Sequence, residues 1–422
     1  MRIRTWLAGG LTALLAACSS PTPAPGPVST PPAQGRAADV ATLLTRLEAV
    51  HPAPYHSVPA AAIRAAADDL ASRAGTLRDD QFLVEVMRLV AKLGTGGRDG
   101  HTGVWPWLNE RLLRRLPLRL WEFPDGVYVT GATSAYRDLV GSRITAVEGT
   151  PIDRVLAAVE PLVPRDNPTT VLAFRPAYLV CAQVLTGLGL APNTERITLT
   201  VAAPGAAPRA APIDTVPALN SASLIGGWEW TLPGRPGSLS LGHLDDEYHV
   251  EYVAARRAIY FQYNAVHPAG TTLADALHTA MRDHRVDRVV VDVRFNHGGD
   301  NTTYGAFVRA LAAADIDRPG RVYLLVGRLT FSAAANFAAE LVDAAEHVRV
   351  IGEPSGGSPN QYGDQAEIRL PYSGIGLTSA NTWVEVVPDQ GLAVVPDLPV
   401  PLSAADYFAG RDPALHKALT GW

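Results

Sequence analysis

Two stretches of sequence, RVVVDVRFNHGGDN at 288–301 and RVYLLVGRLTFSAAAN at 321–336, predict the fold of the C-terminal half of this chain. Each begins with a short, β-branched apolar run, which is typical of a strand buried on both faces of a parallel sheet. Each then passes through glycine or polar residues into a helical pattern. Because ligands bind at the carboxyl ends of strands in such sheets, we expect a functional site where Gly298, Gly299 and Ser332 follow the two strands.

The composition is that of an ordinary globular protein. The chain has 422 residues, of which 47% are hydrophobic, and a formal net charge of −5. This length predicts roughly two to three domains. The small negative charge gives no electrostatic reason to expect nucleic acid as a partner, so none is predicted.

The first 18 residues resemble a bacterial lipoprotein signal peptide. Arg2 and Arg4 precede an apolar stretch, residues 6–17, that is too short to span a bilayer and is followed by Cys18. The resemblance implies that Cys18 is lipidated, so that the protein is exported and held at the membrane of the cell envelope by an N-terminal lipid anchor. A plain secretory signal with an unrelated cysteine is the alternative, and it also predicts export. Cys181 then has no cysteine partner, and we expect it to be a small buried apolar side chain.

Changes in composition and periodicity divide the chain into six segments. They are the signal peptide (1–18), a Pro/Ser-rich tether (19–36), a helical segment (37–115), a β-rich module with helices (116–201), an Ala/Pro-rich connector (202–217) and an α/β core (218–422). Within the helical segment, the apolar spacing predicts helices at 40–50, 60–73 and 80–93. The run GSRITAVEGTPI at 141–152 resembles the core of a PDZ module.

Ser332 precedes an alanine-rich run, residues 333–341, that strongly favours a helix. The free N–H groups and the positive dipole end of a helix start would stabilise an oxyanion formed when the Ser332 hydroxyl attacks a carbonyl. One N–H at Gly298 or Gly299 and another at Ala333 would form a two-point oxyanion hole, because glycine allows close approach to a substrate. The alternatives are a serine that merely caps the helix and a glycine pair that merely makes a tight turn.

A serine nucleophile requires a general base. Lys417 is the only lysine after Ser332 and lies almost at the C-terminus, so a lysine base has no candidate in the expected place. Among the 11 histidines, His101 is preferred because it follows a glycine-rich break, where a side chain can project from a loop. His297, beside the glycine pair, is the rival candidate, although its position suits a pocket wall better.

The third member of a catalytic triad would be a carboxylate that accepts a hydrogen bond from the imidazole. Asp389 is preferred, and Asp397 and Glu385 lie nearby in the sequence. Asp292 lies in the interior of a strand, and we expect it to bind turn amides or Arg294 instead.

Six pieces of the sequence, in this order, resemble the S41 peptidases, which comprise C-terminal processing proteases and their tricorn-like and retinoid-binding-protein-like relatives. The pieces are DGHT (99–102), DVRFNHGG (292–299), TFSAA (330–334), GEPSGG (352–357), VPD (395–397) and RDPAL (411–415). The resemblance implies an α/β fold with a ClpP/crotonase-like core, in which Ser332 is the nucleophile. Because the only lysine after Ser332 lies almost at the C-terminus, the resemblance implies the histidine-using branch with His101 as the base. Phe295 and His297 depart from the family's usual Arg-Gly-Asn-Gly-Gly run.

The activity implied by the resemblance is that of an exported serine peptidase acting on peptide or protein substrates. Ser332, His101 and Asp389 would form the triad of an acyl-enzyme mechanism that requires no metal or organic cofactor. The sequence shows no clustered ligand spacing for zinc. The alternatives are a catalytically inactive lipoprotein that binds peptides or small ligands on the same fold, and an esterase acting on small acyl groups.

Overall fold

A computed structural model of the chain describes residues 32–219, 232–234, 237–267 and 270–422. The signal peptide, Cys18 and the tether as far as residue 31 lie outside the described residues. Eleven α-helices are described: α1 Pro32–Val50, α2 Ala60–Arg73, α3 Asp79–Ala91, α4 Ile152–Val159, α5 Pro168–Leu179, α6 Ala182–Gly187, α7 Gly270–Asp283, α8 Gly305–Ala312, α9 Ala333–Ala344, α10 Ala404–Phe408 and α11 Pro413–Thr420.

Eighteen strands are described: β1 Arg114–Arg115, β2 Leu118–Phe123, β3 Gly126–Ala132, β4 Arg143–Val147, β5 Thr150–Pro151, β6 Arg196–Ala202, β7 Arg209–Asp214, β8 Val216–Pro217, β9 Tyr248–Val253, β10 Ala258–Tyr263, β11 Arg288–Asp292, β12 Val322–Val326, β13 Arg349–Gly352, β14 Gln361–Gly363, β15 Ala366–Arg369, β16 Gly376–Ser379, β17 Thr382–Val384 and β18 Leu398–Pro399. None of the helices in the described parts of the chain is both long and apolar enough to cross a bilayer.

The C-terminal half is built on one six-stranded sheet with the order β18-β13-β12-β11-β10-β9. Strands β10 to β13 and β18 run parallel, and β9 pairs antiparallel with β10 at the edge. The predicted strands β11 and β12 are neighbours in this sheet, with Asp292 opposite Leu325. Their carboxyl ends therefore lie side by side, and the α/β fold expected from the sequence is confirmed.

Both faces of this sheet are covered by helices, which explains the unbroken apolar runs of its strands. Val289 and Val291 belong to a core that contains Phe307 of α8 and Phe337 of α9. Val290, which points to the opposite face, packs in a smaller cluster that includes residues of α11. The observed register, with Asp292 opposite Leu325, places the loops that follow β11 and β12 beside each other.

The β-rich module is an antiparallel sheet with the order β2-β3-β4-β6-β7, to which β5 adds a short pairing with β4. This sheet extends into the expected Ala/Pro-rich connector, because β7 pairs with β6 along its length and β8 pairs with β1. Ala211 and Ile213 are buried and their neighbours in β7 are exposed, so β7 has a half-buried strand pattern. Pro212 is tolerated because β7 is the edge strand.

The helical segment begins earlier than expected, because α1 starts at Pro32, within the range assigned to the tether. Proline is favoured at the first position of a helix, and the alanine, glutamine and arginine that follow are good helix formers. The predicted helix at 60–73 agrees with α2, and the one at 80–93 agrees with α3 to within two residues. Cys181 is buried, with 2% of its surface exposed, as the sequence predicts.

Candidate active site

Ser332 lies immediately before α9, in the turn that leaves β12. Its backbone has φ 53° and ψ −131°, which is uncommon for a residue with a side chain. The side chain does not cap α9; instead, Ser332 Oγ lies 3.0 Å from Nε2 of His101. The simple N-cap interpretation of Ser332 is therefore wrong, and its hydroxyl is paired with an imidazole from the other half of the chain.

His101 projects from a loop that both halves of the chain hold in place. Its carbonyl accepts a hydrogen bond from Thr378 Oγ1 (2.6 Å), and Gly103 exchanges two backbone hydrogen bonds with Thr378. The imidazole stacks on the ring of Phe331, with 4.8 Å between centroids. Only 7% of His101 is exposed, so the ring has little freedom to turn away from Ser332.

The surroundings of His101 favour its neutral form. Burial lowers the pKa of His101, and this effect exceeds the opposing effects of the Asp99 and Asp364 carboxylates and of the Tyr362 carbonyl. A neutral imidazole can accept a proton, as a general base must. His101 Nδ1 is buried, and no carboxylate of the described residues accepts a hydrogen bond from it.

Asp389 does not complete a triad in this structure. It has a positive φ of 58° in an exposed turn, and no hydrogen bond joins it to His101 among the described residues. The expected assignment of Asp389 is therefore corrected: the turn points its side chain to solvent. The two other acidic candidates also lie elsewhere. Asp397 accepts the backbone N–H of Val350, and Glu385 is exposed beside Trp383.

Asp292 has the structural role that the sequence suggests. Its carboxylate accepts the backbone N–H and the guanidinium of Arg294, and it also accepts the Tyr260 hydroxyl. Arg294 in turn binds Asp412 at the start of α11, with distances of 2.7 and 2.9 Å. This network fixes the C-terminal helix to the sheet rather than contributing to the Ser332 site. His297, the rival base, is exposed and does not contact Ser332 by any hydrogen bond of the described residues.

The glycine pair is packed directly against the Ser332 turn. A Cβ atom built at Gly298 would lie 2.6 Å from the Cβ of Ser332, and one at Gly299 would lie 1.7 Å from the carbonyl oxygen of Val266. Both glycines have positive φ values, 104° and 142°. Glycine is therefore required at both positions, for close approach as well as for backbone conformation.

The backbone N–H groups of Gly298 and Gly299 differ in their hydrogen bonding. Gly298 donates its N–H to Oδ1 of Asn296 (2.9 Å), so this amide is already paired. Neither Gly299 nor Ala333 donates its backbone N–H to an acceptor within the described residues. Of the two glycines suggested by the sequence, Gly299 is therefore the one with an amide available for an oxyanion, together with Ala333.

Asp99, two residues before His101, is a buried carboxylate surrounded by donors. Its oxygens lie 3.2 Å from His51 Nε2, 3.4 Å from His56 Nε2 and 3.1 Å from the backbone N of Thr102. Burial by itself would raise the pKa of Asp99, but the interactions with His51, His56 and Thr102 together outweigh burial and hold the pKa well below its usual range. Asp99 is therefore ionised and fixes the start of the His101 loop.

Two groups of side chains in the described parts of the chain bring possible metal-ligating atoms together. They are His51, His56 and Asp99, and His243, Asp246 and His249. In the first group, His51 Nδ1 accepts the backbone N–H of Ala53 at 3.0 Å, so the ring proton is assigned to Nε2 and points at Asp99. A metal ion would need the lone pair of that nitrogen. The chemistry of this donor set therefore fits a hydrogen-bonded carboxylate better than a metal centre.

The sequence alone does not identify the residues that bind the backbone of the loops next to His101 and Ser332. Asp166 accepts the N–H groups of Gly100 and Ser358, and Asn167 binds the carbonyls of Ser355 and Gly356. The signal that could have revealed Asn167 is the Asn-Pro pair at the start of α5, which is typical of a helix N-terminus. No local pattern would have assigned a role to Asp166.

No family model matches the chain, and no curated protein matches it in sequence. Among solved structures, mature CPAF complexed with lactacystin is similar with a TM-score of 0.59 and 12% identity, over 92% of this chain and 96% of that chain. A CPAF mutant is similar with a TM-score of 0.61, 12% identity and the same coverage. The photosystem II D1 C-terminal processing protease has 14% identity over 86% of this chain and 92% of that chain, with a TM-score of only 0.37. The chain therefore shares its α/β fold with mature CPAF.

Proposed function

We propose that this chain, which has the fold of mature CPAF, is a serine peptidase of the S41 type that hydrolyses peptide or protein substrates. The observation that carries the proposal is the 3.0 Å contact between Ser332 Oγ and His101 Nε2, two residues that are 231 positions apart in the sequence. The shared fold and the six sequence pieces listed above support the same assignment. The absence of a capping bond at Ser332 supports a chemical role for its hydroxyl, because a structural serine at a helix start normally caps the helix.

In the proposed mechanism, His101 Nε2 accepts the proton of the Ser332 hydroxyl while Oγ attacks the peptide carbonyl. The N–H groups of Gly299 and Ala333 donate to the oxyanion of the tetrahedral intermediate, and each such donor is worth roughly 3 kcal/mol. His101 returns the proton to the leaving amine, which leaves an acyl ester on Ser332. Water then attacks the ester as His101 accepts a proton from it. When the Oγ–acyl bond breaks and the acid product leaves, His101 passes this proton to Ser332 Oγ, which regenerates the hydroxyl. No metal or organic cofactor takes part.

Export and lipid anchoring belong to the proposal and are supported by the sequence alone. Cys18 follows a short apolar stretch preceded by Arg2 and Arg4, as in lipoprotein signals. Expression of the full chain in a bacterium with a labelled fatty acid should label the wild type. The variant Cys18→Ser should remain unlabelled, and labelling of that variant would contradict the anchor.

The peptidase assignment is tested with a serine-directed fluorophosphonate probe and a panel of peptide and ester substrates. We expect the wild type to be labelled, and Ser332→Ala and His101→Ala to lose labelling and turnover by at least about 1,000-fold. The matched control is Asp389→Asn, which we expect to react within about twofold of the wild type because its side chain is exposed. A folded wild type that is neither labelled nor active would contradict the enzyme and favour a ligand-binding protein. Turnover of esters alone would favour an esterase.

A further inference from the structure

Asp166 is a fully buried carboxylate in the loop before α5, and the Ser332–His101 pair does not involve it. Each of its oxygens accepts one backbone N–H. Oδ1 lies 2.6 Å from the nitrogen of Gly100, and Oδ2 lies 3.1 Å from the nitrogen of Ser358. One carboxylate therefore links two loops that are far apart in the sequence.

Both of these loops carry the reacting groups. Gly100 directly precedes His101, whose imidazole contacts Ser332. Ser358 directly follows Gly357, which is pressed against the backbone of Ser332: a Cβ atom built at Gly357 would lie 2.8 Å from the Ser332 nitrogen. A movement at either end of the Asp166 bridge would therefore change the distance between base and nucleophile.

The charge of Asp166 depends on its surroundings. Burial raises the pKa of Asp166 to about 7, and the nearby charge of Asp99 also raises it. The hydrogen bonds from Gly100 and Ser358 and the charge of Arg98 lower the pKa. No side-chain cation is bonded to this carboxylate among the described residues. Both backbone polar groups of Asp166 are also hydrogen-bonded. Its carbonyl accepts the N–H of Arg98 (2.8 Å), and its N–H donates to Thr170 Oγ1 (3.1 Å).

We propose that ionised Asp166 is a positioning residue that holds the His101 loop and the Ser332 turn at reactive distance. This inference rests on the proposed peptidase function, because the positioned atoms are those of its nucleophile and base. When Asp166 takes up a proton, one oxygen becomes an O–H group that faces an N–H donor. That hydrogen bond is then lost and the corresponding loop is released.

The first test measures the rate of Ser332 labelling by a fluorophosphonate between pH 5 and 9. In the wild type, the rate should fall as the pH drops through about 7. In Asp166→Asn, the plateau rate should be about 10- to 100-fold lower, because misplacement by about 1 Å costs up to 100-fold. The midpoint of its acid limb should lie at lower pH than in the wild type, because burial holds the pKa of His101 below its usual value. Asp153→Asn, an exposed carboxylate in the first turn of α4, should reproduce the wild-type profile. An unchanged plateau and midpoint in Asp166→Asn would overturn the proposal.

The second test needs neither activity nor an Asp166 variant that folds. In full-length Ser332→Ala, we expect the backbone amide signals of Gly100 and Ser358 to shift together in an NMR titration, with one midpoint near pH 7. Two amides that do not respond, or that titrate separately, would overturn the bridge. Joint titration with no labelling of the wild type would retain the bridge and reject the peptidase, so the two failures are distinguishable.

Discussion

At the scale of single residues, Ser332 and the glycines around it form one steric unit. The positive φ of Ser332 is a conformation that costs a non-glycine residue about 1–3 kcal/mol. The neighbouring backbone can approach because Gly298 and Gly357 have no side chains there. The Ser332 carbonyl accepts the N–H groups of Ala335 and Asn336, so the start of α9 holds the turn from the other side. The strained residue is the one whose hydroxyl meets the imidazole.

Gly298→Ala should inactivate the site without unfolding the protein. The added Cβ would lie 2.6 Å from the Cβ of Ser332, and φ at this position is 104°. We expect fluorophosphonate labelling to fall by about 100-fold or more, since displacement of the nucleophile by about 1 Å costs that much. Gly141→Ala is the matched control, because it has a similar φ of 90° but no atom within 4 Å of the added Cβ. Equal labelling of both variants would contradict the steric explanation.

The stability of the protein should also depend on the charge of Asp166. Its pKa in the folded state, about 7, lies above the ordinary value of 3.8, so folding favours the protonated form. The resulting stability is fully present below about pH 4 and is lost as the pH rises through about 7. Asparagine does not titrate, so the free energy of unfolding of Asp166→Asn should rise relative to the wild type between pH 4 and 8. The expected change is at most about 4 kcal/mol.

This dependence is measured by urea unfolding at several pH values, with Asp153→Asn as the control. A difference between Asp166→Asn and the wild type that stays constant from pH 4 to 8 would show that Asp166 is already ionised at the lower pH. A difference that decreases would contradict the sign of the pKa shift.

At the scale of secondary-structure elements, the N-terminus of α5 acts as a clamp on the α/β core. The side chain of Asn167 caps α5 by accepting the N–H groups of Thr169 and Thr170. Its Nδ2 also donates to three carbonyls of the loops behind Ser332, at Ser355, Gly356 and Leu392, with distances of 3.1, 3.2 and 2.7 Å. The side chain of Asn167 therefore caps the start of α5 and also holds the two loops that contain these carbonyls.

Asn167→Ala should therefore destabilise the protein by more than the loss of an ordinary cap. We expect a decrease of about 2–4 kcal/mol in the free energy of unfolding, since the change also leaves buried carbonyls without donors. Ser403→Ala is the matched control. Ser403 caps α10 through the N–H of Asp406, and its loss should cost only about 1 kcal/mol. Equal effects of both substitutions in urea unfolding would mean that the three carbonyl contacts contribute no net stability.

At the scale of the whole molecule, the two halves of the chain share one hydrophobic core. A single cluster contains residues of α1 to α3 together with Phe331, Leu370 and Leu377 from the C-terminal half. Asp39 of α1 adds polar contacts, because its two oxygens accept the N–H groups of Tyr372 and Ser373 at 2.8 Å each. The helical segment is therefore part of the scaffold that presents His101 to Ser332.

The segment 218–422 should consequently not fold by itself, although its composition suggests a separate α/β core. Without the N-terminal half, the apolar side chains that it contributes to the shared core would be exposed to water, at a cost of about 25 cal/mol per Å² of apolar surface. We expect the isolated segment to lack a cooperative transition in thermal unfolding followed by circular dichroism. The chain from residue 32 onward is the control and should unfold cooperatively. Cooperative unfolding of the isolated segment would contradict the shared core.

Local patterns in the sequence by themselves determined the parallel strands, the helix after Ser332 and the glycine pair. The reason is that a β-branched run, an alanine run and a glycine turn each restrict the backbone of neighbouring residues. The sequence does not predict β7, because the pattern of this strand can be recognised only when β6 is known to lie beside it. It also does not predict the early start of α1, because the composition of this part of the chain is that of a tether. The family resemblance pointed to His101, but its distance from Ser332 depends on how the two halves pack.

Only the tertiary structure decided which polar groups meet at the site. Asp389 was a reasonable carboxylate by sequence position, but its turn is exposed, whereas Asp166 is buried and bound to two loops. The same holds for Gly298 and Gly299, whose amides differ because the side chain of Asn296 occupies one of them. Hydrogen-bond partners that are tens or hundreds of residues apart are selected by packing, which no local pattern of residues encodes.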